Sequence, residues 1–172
     1  LNRIWHLGLS RDELQRYASE IGSDVAFFLS ESPAAICQGR GEIIRPLRSA
    51  PRLHFVIVKP DSGLSTAAVF RQCQPEAEPR GASQLVECLQ RGDLTNVGFN
   101  LFNSLQKPAE SLNLEVQRLI NEFGRQQFVG HMMTGSGTSC FGVCRHRNEA
   151  RMAAARLKAL RLGRVFVGET SS

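Results

Sequence analysis

The sequence predicts an α+β chain built around an antiparallel sheet, and three observations carry that expectation. Leu53–Pro60, "LHFVIVKP", is a β-branched run closed by proline, the composition of a strand that stops abruptly. Far downstream, Phe128–Met133 and Cys140–Cys144 are short apolar runs joined by the glycine-containing "TGSGTS", a strand, turn and strand signal. Helical patterns fill the space between the first strand and this pair, and one more helix and one more strand follow it.

Taken in order, Ser10 and Glu13 make a capping box ahead of Leu14, Tyr17, Ala18 and Ile21, so a helix is expected over Arg11–Glu20 with Gly22 ending it. Val25–Leu29 is a continuous apolar run, expected as a buried strand or as a segment sunk in the core. "AAICQG" and "EIIRPL" flank Gly39-Arg40-Gly41 as a hairpin. After the strand at Leu53–Val58, "DSGLSTAAVFRQC" reads as a loop that opens a helix near Ser65 or Thr66, and "PEAEPRGAS" as a surface loop. Further helices are expected over Gln84–Gln90, stopped by Gly92, around Asn100–Gln106, and over Leu112–Phe123. In the last of these Leu112, Val116, Leu119, Ile120 and Phe123 share a face. Strands at Phe128–Met133 and Cys140–Cys144, a helix at Asn148–Leu160 and a strand at Val165–Gly168 complete the chain. The order β, helices, β, β, α, β is that of a ferredoxin-like plait, an antiparallel sheet with its helices on one face.

Composition excludes several classes. With 172 residues, 42% hydrophobic and 22% charged, the chain has enough apolar content for a core and too much for a disordered polymer. No apolar run approaches the roughly 18 residues of a membrane span, and no basic start precedes an apolar segment, so a cytoplasmic protein without a membrane partner is expected. Five cysteines without a C-x-x-C pair indicate neither a disulfide framework nor a zinc site. The net charge of +5 gathers late, at Arg145, Arg147, Arg151, Arg156, Lys158, Arg161 and Arg164. No aromatic residue interleaves that run, so a solvated helix face is favoured over nucleic-acid binding.

Two places are candidates for chemistry. Gly135-Ser136-Gly137 offers backbone N–H groups with little in their way, but it fits neither G-x-x-x-x-G-K-[ST] nor G-x-G-x-x-G and lies between strands; read alone it is a tight turn. Asp24 stands between a helix stop and an apolar run, where partial burial would tune a proton-accepting carboxylate. The same position suits an aspartate that merely caps a turn.

Three stretches taken together, "LNRIWHLGLSRDELQRYASEIGSDVAFFL", "GLSTAAVF" and "MTGSGTSCFGVC", resemble the GHMP kinases in order and spacing, over essentially the whole chain. The resemblance implies a phosphoryl transfer from ATP, with Mg²⁺, to an alcohol on a small molecule, expected here to be a cytidine diphosphate-linked methylerythritol. Asp24 matches the family's catalytic aspartate, which takes the proton from the attacking hydroxyl. Gly135, Ser136, Gly137 and Thr138 match the family's third motif beside the phosphates, and Thr66 and Phe70 match a segment near the organic substrate. For Thr66 and Phe70 the structural alternatives are a helix-capping threonine and a core phenylalanine. Ser23, Ala26 and Thr134 depart from the family's usual residues, and no metal ligand of the chain's own is expected.

The chain opens on Leu1, and residues 2–9 read as the inside of a folded element. On the resemblance, residues 1–50 are then the end of a GHMP kinase N-terminal domain and residues 51–172 the C-terminal domain, with the family's main ATP loop and lysine lying upstream. A fragment of this kind is expected to be inactive alone, and its first segment to dock on the plait or to pair with a second copy as a homodimer. The alternatives are another GHMP kinase, of homoserine or mevalonate type, and a ferredoxin-like binding module that uses its basic helix.

Overall fold

The computed structural model describes residues 1–22, 25–30, 32–47, 49–74 and 81–170. They fall into two compact units, one within Leu1–Ala50 and one over Pro51–Thr170.

In the first unit, helix α1 (Arg11–Ile21) begins with the expected capping box. Ser10 Oγ accepts from the Glu13 N–H at 3.3 Å while the Glu13 carboxylate accepts from the Ser10 N–H at 2.8 Å, so two orphan donors of the first turn are satisfied reciprocally. Asn2 closes the preceding loop by exchanging hydrogen bonds with both backbone groups of Leu9. Gly22 ends the helix in an extended conformation, φ 176, which any residue adopts. The apolar run that follows departs from expectation, because Val25–Phe28 is a short helix, α2, and not a strand. Its backbone bonds are local, Leu29 N–H to Ala26 O and Ser30 N–H to Phe27 O. Small Ala26 is buried, whereas Phe28 is 78% exposed. Strands β1 (Ala35–Gln38) and β2 (Ile43–Pro46) pair antiparallel as the expected hairpin. Leu1, Ile4, Trp5 and Ile21 are exposed, so this unit carries a large uncovered apolar surface of its own.

The second unit is organised by β3 (His54–Lys59), with Val56 and Val58 fully buried. The helices α3 (Thr66–Gln72), α4 (Ser83–Arg91), α5 (Leu94–Asn100), α6 (Gln106–Leu112) and α7 (Leu114–Gly124) come next. Strands β4 (Gly130–Met133) and β5 (Cys140–Cys144), helix α8 (Arg147–Ala159) and strand β6 (Arg164–Glu169) finish the chain. The sheet order is β4-β5-β3-β6 and every pair is antiparallel, which is the plait read from the sequence, with five helices in its first crossover. Val56 lies opposite Gly142 on one side and Val167 on the other. Val116, Leu119 and Phe123 from α7 and Ala150 and Leu157 from α8 pack with Val56 and Val58. Full burial of each of these valine, leucine and phenylalanine side chains contributes roughly 1.5–3 kcal/mol. Arg147, Arg151, Arg156 and Lys158 are exposed on α8 while Ala150, Ala153, Ala154 and Leu157 are buried, so the basic run is the solvated face of a core helix.

Two expected helices are placed differently. Residues 101–105, within the helix expected around Asn100–Gln106, form the break between α5 and α6. Asn103 Oδ1 accepts from the Leu105 N–H at 3.0 Å, a local side-chain bond that competes with helix continuation. Asn113 likewise takes the Glu115 N–H at 2.9 Å and starts α7. Leu112 therefore belongs to α6 and is partly exposed instead of joining the α7 face.

Helix α5 meets β4 backbone to backbone. A Cβ on Gly98 would stand 1.9 Å from Val129 O, and one on Gly130 2.6 Å from Gly98 Cα. Helix propensity alone favours Gly98→Ala by about 0.5–1 kcal/mol, but the backbone cannot yield as a side chain does, and overpacking of this kind costs roughly 1–3 kcal/mol or more. Gly98→Ala is accordingly expected to lower the thermal midpoint; an unchanged or raised midpoint would mean that the two elements separate freely. A pH effect follows from His131 on β4, where burial pushes the imidazole below its ordinary range. The unfolded chain then binds the proton more readily, so stability is complete above the ordinary histidine range and declines as pH falls through about 6.5. Thermal melts across that window should show the decline, and His131→Gln should flatten it; an equal slope in the variant would assign the decline to other groups.

Candidate active site

The loop between β4 and β5 closes tightly. The Thr134 N–H donates to Ser139 O at 2.9 Å and the Gly137 N–H to Thr134 O at 3.1 Å. Gly135 and Gly137 sit at φ 55 and 96, the region where glycine is favoured because it lacks a Cβ. A Cβ on Gly135 would meet nothing within 4 Å, so its Cα faces open space. Consecutive N–H groups in such a turn form a concavity suited to an anion.

Helix α3 delivers the second part. Ser65 is its N-cap, with Oγ accepting from the Ala68 N–H at 3.4 Å, so Thr66 is not the capping residue. Its hydroxyl instead shares a hydrogen bond with Ser136 Oγ at 2.9 Å across 70 positions of sequence. Phe70 follows one turn later on the same face and is 58% exposed, so it is not a core residue. The fold thus brings Thr66 and Ser136 into contact, with Phe70 on the helix that supplies Thr66. Asp24 lies outside the described residues.

Thr138 turns inward. It is 2% exposed, accepts from Lys59 Nζ at 2.8 Å and donates to Ser62 O at 3.2 Å. Lys59, at the end of β3, also donates to Pro60 O at 2.8 Å and Ser62 O at 3.1 Å. An ammonium has three donors, and these three acceptors use them all. Lys59 is therefore an anchor between the glycine loop and the segment entering α3, and not a cation aimed at a ligand. Asn113 Nδ2 reaches Ser62 Oγ at 3.0 Å. The Ser62 hydroxyl and N–H hold the Glu115 carboxyl below the usual carboxylate range, which ties the same segment to the start of α7.

From the other side, Asn103 Nδ2 donates to both Met133 O and Gly135 O at 2.8 Å, and Gln106 Oε1 accepts from the Met133 N–H at 2.9 Å. Sequence reasoning missed Lys59, Asn103 and Gln106. The available signals were a lysine closing a buried strand and an asparagine interrupting a helical pattern in "FNSLQ". A cavity of about 510 Å³ between α3, residues 101–104, α6 and β4 shares Asn103 with the loop, but neither Thr66 nor Phe70 lines it.

The residues present fit the phosphate portion of a nucleotide only as a supporting wall, since they offer backbone donors and hydroxyls but no free cation in the loop. Among the described residues no three His, Cys, Asp or Glu side chains stand together as a metal site. Among them, too, no helix is long and apolar enough to cross a membrane.

Residues 85–160 match the family model described as GHMP kinases C terminal. The chain is 38% identical over 144 residues to the 4-diphosphocytidyl-2-C-methyl-D-erythritol kinase of Shouchella clausii, a match covering 83% of this chain and 48% of that protein. It is 34% identical over 160 residues to the enzyme of the same name from Pelotomaculum thermopropionicum, covering 92% of this chain and 55% of that one. The chain thus spans about half the length of the curated relatives it matches. Among solved structures, a 4-(cytidine 5'-diphospho)-2C-methyl-D-erythritol kinase superposes with TM-score 0.77 at 30% identity, over 92% of this chain and 57% of that one. Homoserine kinase from Cytophaga hutchinsonii superposes with TM-score 0.72 at 17% identity, over 99% and 60% respectively, a likeness of fold alone. By family match, relatives and fold together, the chain is similar to the GHMP kinases, and residues 85–160 carry the match to their C-terminal domain.

Proposed function

We propose that the chain is the C-terminal part of an ATP-dependent kinase that phosphorylates a hydroxyl of 4-diphosphocytidyl-2-C-methyl-D-erythritol, in the non-mevalonate route to isoprenoid precursors. The observation that carries this reading is the Thr66–Ser136 hydrogen bond at 2.9 Å. It joins the segment matched to the organic substrate with the loop matched to the phosphates, as a transfer between the two requires. The names of the relatives support this substrate over homoserine or mevalonate, because the likeness to homoserine kinase is one of fold. In the same reading residues 1–50 end the first kinase domain, residues 51–172 form the second, and the enzyme is cytoplasmic and acts on a small molecule. The exposed Leu1, Ile4 and Trp5 are a surface on which a second copy could pair.

The roles in this reading are those that the resemblance implies. Mg²⁺-ATP supplies the phosphoryl group and neutralises part of its charge. Asp24 orients the alcohol and accepts its proton as the oxygen attacks. Gly135 and Ser136 present backbone donors beside the phosphates, where fixed dipoles need no rearrangement as charge moves, while the Gly137 N–H closes the turn on Thr134 O. Thr66 positions Ser136, and Phe70 offers an exposed ring against which part of the organic substrate packs. Lys59 and Thr138 hold the loop from within.

Full-length protein assayed with ATP, Mg²⁺ and a panel of alcohols should turn over the cytidine diphosphate-linked substrate in preference to homoserine and mevalonate; the reverse preference would overturn the assignment of substrate. In that protein Asp24→Asn keeps the shape and removes the base, so kcat is expected to fall by about 10² to 10⁴-fold at unchanged stability, and near-normal turnover would return Asp24 to a turn residue. For Gly137→Ala, positive φ and a Cβ only 2.9 Å from Met133 Sδ should cost about 1 kcal/mol or more of stability and raise KM for ATP. A variant with unchanged melting and unchanged ATP kinetics would make the loop an ordinary turn.

A further inference from the structure

Asn103 makes three hydrogen bonds with three different consequences. Oδ1 accepts from the Leu105 N–H at 3.0 Å and sets the start of α6, while Nδ2 donates to Met133 O and to Gly135 O, each at 2.8 Å. Both donors of the amide are therefore used on the glycine loop and the strand that enters it. The C=O and N–H of one trans peptide point in opposite directions. Holding the Gly135 carbonyl toward Asn103 consequently turns the N–H of the same peptide, that of Ser136, away from Asn103.

At φ 55 with open space around its Cα, Gly135 has no side chain to hold this peptide in place, and a glycine peptide flips readily between orientations that expose its oxygen or its N–H. An oxygen facing a phosphate would repel it; an N–H would bind it. Ser136 adds a second constraint, since its Oγ is tied to Thr66 at 2.9 Å.

We infer that Asn103 is a positioning residue for the nucleotide phosphates: by clamping the Gly135 carbonyl it sets the Ser136 N–H as an anion donor before nucleotide arrives. It touches neither substrate nor phosphate in this role. The inference rests on the kinase reading for the identity of the anion, but the clamp itself is a property of this chain.

The discriminating variant is Asn103→Asp, which keeps an oxygen for the Leu105 N–H and replaces both N–H donors with an oxygen that repels the two carbonyls. Hydrogen exchange on the 172-residue chain, without nucleotide, should become roughly tenfold faster at the Thr134 and Gly137 amides, whose bonds close the loop, and stay unchanged in β3 and β6. In the full-length enzyme KM for ATP should rise roughly tenfold, the size expected for losing one or two backbone bonds, with KM for the alcohol unchanged. If Asn103 serves only the start of α6, Asn103→Asp will match the parent in loop exchange and ATP KM while Asn103→Ala does not, and the inference is overturned. Absence of turnover in the unsubstituted full-length protein would instead overturn the kinase reading, and the exchange result would still decide the clamp.

Discussion

The site depends on where strand β3 stops. Paired on both edges, to β5 and β6, with Val56 and Val58 fully buried, the strand cannot slide without turning those valines to the other face. Pro60 follows immediately and has no N–H to continue the ladder. Lys59 is thus delivered to one place, beside the β4–β5 loop. There its ammonium joins Thr138 to the carbonyls of Pro60 and Ser62. Leaving such a charge half-buried without acceptors would be costly, so the loop and the α3 entry are held to it as firmly as it is held to them.

The glycine loop is consequently fastened on two sides by side chains whose donors are used on the protein itself. Lys59 secures its far end through Thr138, and Asn103 secures its near end through Gly135 and Met133. Between these anchors only Ser136 projects sideways, to Thr66. A glycine turn in the proposed role beside phosphates needs such outside support, because the freedom that lets its backbone approach an anion also lets it collapse. The network costs side-chain entropy and gives in return donors already oriented for charge, the form of stabilisation that matters in phosphoryl transfer.

Much of the fold was legible because its signals are local and redundant. The capping box at Ser10 and Glu13, the β-branched run of β3, the left-handed stop at Gly92 and the α7 face of Val116, Leu119 and Phe123 each combine a pattern with a boundary residue. Legibility failed where hydrophobicity was the only cue. Val25–Phe28 is apolar yet helical and partly exposed, and the expected helix around Asn100–Gln106 ignored what one asparagine side chain does to the backbone. At the site, Thr66, Phe70 and the glycine loop were named through family resemblance, and the fold brings Thr66 to Ser136. Lys59 and Asn103 were missed because the bonds that fasten the loop reach across 79 and 32 positions; their local signals, a lysine closing a buried strand and an asparagine within a helical pattern, do not say which distant group each one meets.

The central claim is that the backbone N–H groups of Gly135 and Ser136 face the phosphates of a bound nucleotide. Amide resonances of the full-length protein, followed by nuclear magnetic resonance during titration with a non-hydrolysable ATP analogue and Mg²⁺, test it most directly. The account predicts that the Gly135 and Ser136 amides shift together and saturate with the nucleotide, while Val165 and Val167 on the edge strand β6 stay in place. Saturable binding that leaves these two loop amides unmoved would contradict it.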